Sequence, residues 1–396
     1  MPTFQTPHGV VRVAKTAQIA DEMEFQHALA SQRKDVRFYR LMEETLIQGF
    51  DYFWFALESP QWGKAYVPFF TLDQDLLQGS GKRVQSMVGA IRKIWRRFLT
   101  MRTVMIGCAA AEGHLDDGSD ERKAWMAQCI ETMVRPCSKH VKCGMIVWKE
   151  FPAKYRKPLA SLRSHGFTRV PSLPMTRLNI DYPSFDEYLQ TALSKATRKS
   201  LRRKFRTVED ATRDHPIECE VLQDITPLVD QVHPLYMQVY NRSNLHFEKL
   251  TPEFLSRLGR ELPEKVRFFV WRQRGKIIAF SVTMIQGDEL YDEYLGMDYS
   301  IALDLHLYFV TLRDIINWAI AHNIKWYCSS ALNYDPKLHL RSRLYPLDLY
   351  VTHTNRIVNF FLARFLPLLE PTRNDKTLAQ FSNHAELWEG DEAMVS

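Results

Sequence analysis

Apolar and polar positions follow two rhythms along this chain, and the changes between them predict its elements. Asp51–Ser59 and Lys64–Leu72 are dense in aromatic and β-branched residues on either side of Gln61–Gly63, which predicts a hairpin. Arg102–Ala110 and Cys143–Phe151 read as buried strands joined through a helix over Glu121–Arg135. Asp21–Gln48, Val84–Leu99 and Ala153–Ser164 carry helical spacing, and Gly166–Ile180 holds two short strands split by prolines. After the turn-like Asp181–Ser184 a second pass of similar order begins. It has a basic helix within Phe185–Asp210, a strand at Ile217–Leu222, and helices at Pro227–Tyr240 and Pro252–Arg260. A three-stranded meander (Val266–Met297), a helix (Leu303–His322) and strands at Ile324–Ser330 and Leu344–Thr352 follow. The expected organisation is a flexible lead (1–20), two mixed α/β units (21–182 and 183–370) and a frayed polar tail (371–396). The repeat is one of element order; the halves do not align residue by residue.

Composition narrows the class. A chain of 396 residues with 45% apolar positions, 23 Phe, 16 Tyr and 9 Trp has material for more than one large core, which excludes extensive disorder. A net charge of +6 favours anionic partners. The six cysteines show no disulfide framework, so reduced thiols in a cytoplasmic setting are expected. No apolar run reaches spanning length. The strongest one, Ile357–Leu369, is interrupted by Asn359, Arg364 and Pro367 and suits packing under a domain or a homo-oligomer contact, with lying on a membrane surface as the lesser alternative. Cys137, His140 and Cys143, with Cys129 upstream, do not match paired zinc knuckles, and no metal site is expected.

The basic helix is the most informative stretch. Phe185, Leu189, Ala192, Leu193 and Ala196 share an apolar face. Lys195, Arg198, Lys199, Arg202 and Arg206 recur at steps of three and four on another, with no acidic residue between Lys195 and Arg206. Guanidinium forks bind phosphate oxygens bidentately, so the stripe suits a phosphate-rich ligand; a solvated helix face is the alternative.

Three features carry a resemblance to a known family. They are the pattern Leu193–Arg203 on that helix, the meander ending in Tyr291–Asp298 (YDEYLGMD), and the strand and loop Trp326–Lys337 (WYCSSALNYDPK). Over about residues 170–352 the chain resembles the GNAT-like acyltransferases grouped with the Fem aminoacyltransferases, and the first half looks like a degenerate companion copy. The resemblance implies tandem GNAT-like domains, each a mixed, mostly antiparallel twisted sheet flanked by helices. It implies transfer of an acyl group to an amine acceptor, small-molecule or peptide. Acetyl- or longer acyl-coenzyme A is the first-choice donor, aminoacyl-tRNA the second. A non-catalytic assembly protein is the rival from another class. Arg198, Arg202 and Arg203 on the helix, and Ser329, Ser330 and Lys337 near the strand end, are the implied donor-binding residues. One departure stands out. The stretch Met297–His306, where many GNAT enzymes carry a Gly-rich phosphate loop, has no glycine, and Asp298 and Asp304 put negative charge there. The donor could instead use the first half, through the loop Cys108–Gly118.

Acyl transfer to an amine needs a base for the incoming ammonium, a donor to the carbonyl oxygen and a proton for the leaving group. Glu293 is the candidate base. Strict alternation sets Tyr291, Glu293 and Leu295 on one strand face and Asp292 and Tyr294 on the other, so only one carboxylate can enter a given cleft. Tyr308 is a candidate proton donor and His306 a group that titrates near neutrality. Cys328 has no neighbour that would activate it and is expected to be a core thiol.

Overall fold

The structure is a computed structural model that describes residues 2–75, 100–243 and 247–389; the helix expected at Val84–Leu99 lies outside them. The chain divides into two compact units. Unit 1 takes the chain up to Ser172 together with Pro346–Arg373, and unit 2 takes Leu173–Tyr345 and Asn374–Glu389.

Unit 1 is built on strands β1 (Thr3–Thr6), β2 (Gly9–Ala14), β3 (Asp51–Ser59), β4 (Gly63–Asp75), β5 (Thr100–Ile106), β6 (Met145–Pro152) and β7 (Thr168–Pro171). Residues expected as a flexible lead instead form the β1–β2 hairpin. Its turn is tied by the Thr6 hydroxyl donating to Gly9 O at 2.7 Å, and Val11 and Val13 are buried against the sheet. Two alternating apolar residues gave too short a run to read as a strand. The helix expected over Asp21–Gln48 is broken into short turns and one helix, α1 (Val36–Thr45), capped by Asp35. Helix α2 (Asp120–His140) is capped by Ser119 and lays Trp125, Met126, Ile130, Met133 and Cys137 against Val11, Phe55, Val67, Val104 and Trp148 of the sheet. Each such side chain contributes about 1.5–3 kcal/mol by leaving water.

Unit 2 contains β8 (Met175–Asn179), helices α3 (Phe185–Ala192) and α4 (Lys195–Ala211), β9 (Glu218–Leu222), α5 (Val229–Tyr240) and α6 (Pro252–Glu261). The meander β10 (Val266–Gln273), β11 (Lys276–Gln286) and β12 (Glu289–Met297) follows. Helix α7 (Leu307–Ala321), β13 (Trp326–Ser329), α8 (Tyr334–His339) and β14 (Arg343–Tyr345) close it. The sheet order is β14-β8-β13-β12-β11-β10-β9, all antiparallel except β12 with β13. Phe269, Trp271, Leu290, Met297 and Tyr327 face the apolar sides of α3, α4 and α7.

The two sheets exchange strands in sequence. β8, from the end of the expected first unit, pairs with β13, whereas β15 (Leu347–His353) runs between β6 and β7 of unit 1 and continues into helix α9 (Arg356–Leu369). The polar tail is not frayed over its described part. Leu378, Phe381 and Leu387 pack on Tyr334 and Leu344, and Asn383 bonds both the amide and the carbonyl of Leu344. Three apolar anchors in a polar segment suffice to dock it.

Candidate active site

The parallel pair of unit 2 opens at one point. β12 and β13 are paired from Glu289 opposite Trp326 to Asp292 opposite Ser329, and their ladder stops there, while β12 continues to Met297 against β11. Ligands of α/β sheets bind beyond the carboxyl ends of parallel strands, where the connections diverge. Polar side chains from five elements meet at this opening.

Asp292 is at its apex. Tyr327 donates its hydroxyl to Asp292 Oδ2 at 2.6 Å, and Ser281 donates to Oδ1. Burial raises the Asp292 pKa above the ordinary carboxylate value; the two hydroxyls and the positive charge of Lys337 oppose the rise. Tyr308, in the first turn of α7, is pushed up by burial and then by the Asp292 charge, while a hydrogen bond with Asn333 works against both. Its phenol therefore stays protonated through neutral pH. Lys337 on α8 is buried, and its ammonium donates to Ser330 O and to Leu332 O, the latter at 2.8 Å. Burial lowers it to about 8, against the pull of Asp292.

Glu293 is placed differently from expectation. Val282 faces Tyr294 and Thr283 faces Asp292, so Glu293 is the extra residue of a β-bulge. The bulge ends the strict alternation. Leu295 joins the cluster of Leu290 and Met297, and Tyr294 packs edge-on to Tyr236 of α5 at 6.4 Å. The expected grouping of Tyr291, Glu293 and Leu295 on one face is thus corrected, because one inserted residue exchanges the faces beyond it. Asp292 joins Tyr308, Tyr327 and Lys337, and the Glu293 charge beside it adds to the rise of its pKa. Its signal in the sequence was an acid on the same face as the apolar Leu290.

The implied donor-binding residues separate into groups. Ser329 shares a 2.8 Å hydrogen bond with Thr176 and is buried. Ser330 is exposed, and its backbone carbonyl serves Lys337. On α4, Leu201, Phe205 and Val208 form the buried face, and Lys195, Lys199, Arg202, Arg203 and Arg206 are exposed. Arg198 is half-buried and bonds Gln190 O at 2.5 Å. The stripe is therefore a solvent-facing ridge. Its Arg203 and its neighbour Lys204 are close enough to His306 to help burial lower that histidine's pKa. His306 is the left-handed N-cap of α7 (φ 43°), so the helix begins four residues later than expected.

The loop ahead of α7 has spent most of its amides. Tyr299 N donates to Gln238 Oε1 at 2.9 Å and Ser300 N to Asp298 Oδ1 at 3.1 Å. Ile301 and Ala302 donate to Asp298 O, Leu305 to Ile301 O and Leu307 to Ala302 O. Asp298 is itself paired with Lys276 at 2.7 Å, and that bond and the Ser300 hydroxyl lower its pKa. A phosphate cradle needs unsatisfied N–H groups. The corresponding loop of unit 1 has the opposite polarity. Lys34 and Lys149 donate to Ala110 O and Ala111 O at 2.9 and 3.0 Å. Arg33 forks onto Glu112, and although burial opposes it, Arg33 and His114 hold that carboxyl well below its ordinary value. This unit's own cations fill its loop.

Five of the six thiols are core groups, and Cys219 on β9 is exposed. Burial pushes Cys137 up to about 12 and Cys143 to about 11, His140 between them is exposed, and Cys328 is buried on β13. Among the described residues no three potential ligands gather around a common point.

The family model of FemAB-like proteins, described as peptidoglycan biosynthesis/recognition, matches residues 118–332, more than half the chain, including Asp292, Tyr308 and Tyr327 of the β12–β13 opening and ending short of Lys337. The chain belongs to the FemAB-like family. No curated protein matches it. Among solved structures, FemX is similar at a TM-score of 0.52 and 9% identity, over 88% of this chain and 97% of that one. A conserved protein of unknown function from Bacteroides thetaiotaomicron matches at 0.49 and 12%, over 86% and 98%. A tandem GNAT protein from the clavulanic acid biosynthesis pathway matches at 0.41 and 9%, over 87% and 99%. The FemAB-like chain thus has the tandem GNAT-like, mixed α/β fold that its sequence resembles.

Proposed function

We propose that this FemAB-like protein transfers an acyl-type group from a polyanionic activated donor to an amine, and that the reaction occurs at the β12–β13 opening. The observation that carries the proposal is the meeting of Asp292, Tyr308, Tyr327 and Lys337 where the two parallel strands part. The amine nitrogen attacks the donor carbonyl carbon, and the bond from that carbon to the leaving oxygen breaks. The nitrogen's proton passes to Asp292, whose raised pKa makes it a stronger base than an ordinary carboxylate. Tyr308 returns a proton to the leaving oxygen, and the Lys337 ammonium stabilises negative charge as it develops.

Aminoacyl-tRNA is the donor favoured here. The loop before α7 has few amides to spare for a diphosphate, whereas the exposed α4 ridge offers separated cations to an extended phosphate backbone. Acyl-coenzyme A is the second reading, and the pairing of Arg203 and Lys204 beside the start of α7 speaks for it. Salt separates them. Binding of aminoacyl-tRNA falls steeply, by about tenfold or more between 50 and 200 mM salt, through counterion release. Coenzyme A binding falls far less.

A further inference from the structure

The exposed apolar surface of α9 is the feature the proposed chemistry leaves unused. Ile357, Phe360 and Leu368 are 70%, 66% and 61% exposed, and Phe361 and Phe365 are more than half exposed. No described side chain of this helix is buried. Solvent-facing apolar residues of this size and density on one 14-residue helix mark a contact surface. At about 1.5 Å per residue the helix is too short to span a bilayer.

Charge selects the occupant. From Val351 to Leu369 the chain contains no acidic residue, while Arg364 sits among the exposed phenylalanines and Arg356 starts the helix. Arg135 of α2 lies near enough to Arg356 for the two charges to repel, and it ties α9's approach by donating to His353 O and Thr352 Oγ1. A second copy placed face to face would bury Arg364 in an apolar contact with no carboxylate to pair it, which is costly. The segment 76–99 of this chain, which joins β4 to β5, also fits poorly. It carries six basic residues and no acidic one. An anionic bilayer surface meets both demands. Phenylalanines enter the acyl boundary, while the arginines extend their charged ends to lipid phosphates.

We propose that α9 is an in-plane docking helix through which the protein binds anionic membrane surfaces. The test is flotation of the full-length protein with phosphatidylcholine vesicles containing 30% phosphatidylglycerol, and with pure phosphatidylcholine vesicles, alongside light scattering without lipid. Wild type is expected to float with the anionic vesicles, and weakly with the neutral ones. Phe361→Asp with Phe365→Asp should reduce the partition coefficient at least about tenfold, with an unchanged melting temperature. Arg364→Gln, which removes the charge with little loss of apolar surface, should reduce it about fivefold. Three outcomes overturn the proposal. One is no binding by wild type; another is equal binding by both variants, which would move the contact to another basic segment. The last is a lipid-free dimer that the Phe variant dissociates, which would make a second copy the occupant.

Discussion

Tyr327 donates its hydroxyl to Asp292 at 2.6 Å, and this bond ties β13 to β12 just where their ladder ends. It holds an acid with a raised pKa at the mouth of an opening instead of in a closed core. Buried polar groups of this kind cost stability, so their presence at a strand junction points to chemistry.

Asp292→Asn tests that reading. Asparagine keeps the size and an acceptor for Tyr327, but it cannot take a proton. Transfer should fall by about a hundredfold. Stability at pH 7 should hold or rise, because the folded-state pKa of Asp292 lies above its unfolded value. Such an acid favours folding only when protonated and opposes it as pH rises through the raised pKa. Rates and urea midpoints of the same variant give both readouts.

Lys337 gives a signature with a definite sign. Its folded pKa of about 8 lies below the usual 10.5, so between those values the unfolded chain binds more protons. The stability of wild type relative to Lys337→Met should therefore increase from pH 8 to pH 10.5, by at most about 3 kcal/mol. Transfer should decline above pH 8 as the ammonium is lost. Urea unfolding at three pH values and a pH–rate profile check the two halves independently.

Much of this was legible in the chain. The meander and the strand and loop leading to Lys337 were read at nearly their observed bounds, because apolar periodicity and Gly-containing turns mark them strongly; the basic segment, expected as one helix with Phe185 to Ala196 on a shared face, instead breaks at Leu193–Ser194 into α3 and α4 and leaves Ala196 exposed. The acid at the centre was not. Alternation alone puts Asp292 on the face of Leu290, but it does not say which face of the strand lines the opening; the bulge at Glu293, which arises from pairing with β11 and has no local signature, exchanges only the faces beyond it. The exchange of β8 and β15 between sheets was hidden for the same reason, since partner choice is non-local. The α4 stripe was visible, but its orientation depends on Leu201, Phe205 and Val208 claiming the opposite side.

If that ridge holds tRNA, Arg202→Ala with Arg206→Ala should weaken donor binding and flatten its salt dependence, with no change in melting temperature, because both side chains are exposed. Binding titrations at several salt concentrations show the change in slope.

Two packing sites outside the opening calibrate the fold. In Gly259→Ala the new Cβ would lie 1.9 Å from Gln223 O, so the helix α6 must shift, and a loss of about 2 kcal/mol is expected. Glu112→Ala strands the buried Arg33 guanidinium in unit 1 and should cost about 3–5 kcal/mol. Chemical denaturation measures both.

The most direct measurement is donor consumption with hydroxylamine as surrogate amine, comparing Asp292→Asn with Glu293→Gln under single-turnover conditions. Neighbouring carboxylates are each neutralised, so general effects of charge are matched. A loss of about a hundredfold for Asp292→Asn, with Glu293→Gln within about threefold of wild type, is the expected result. Equal rates for Asp292→Asn and wild type, or a large loss confined to Glu293→Gln, would contradict the placement of the chemistry at Asp292.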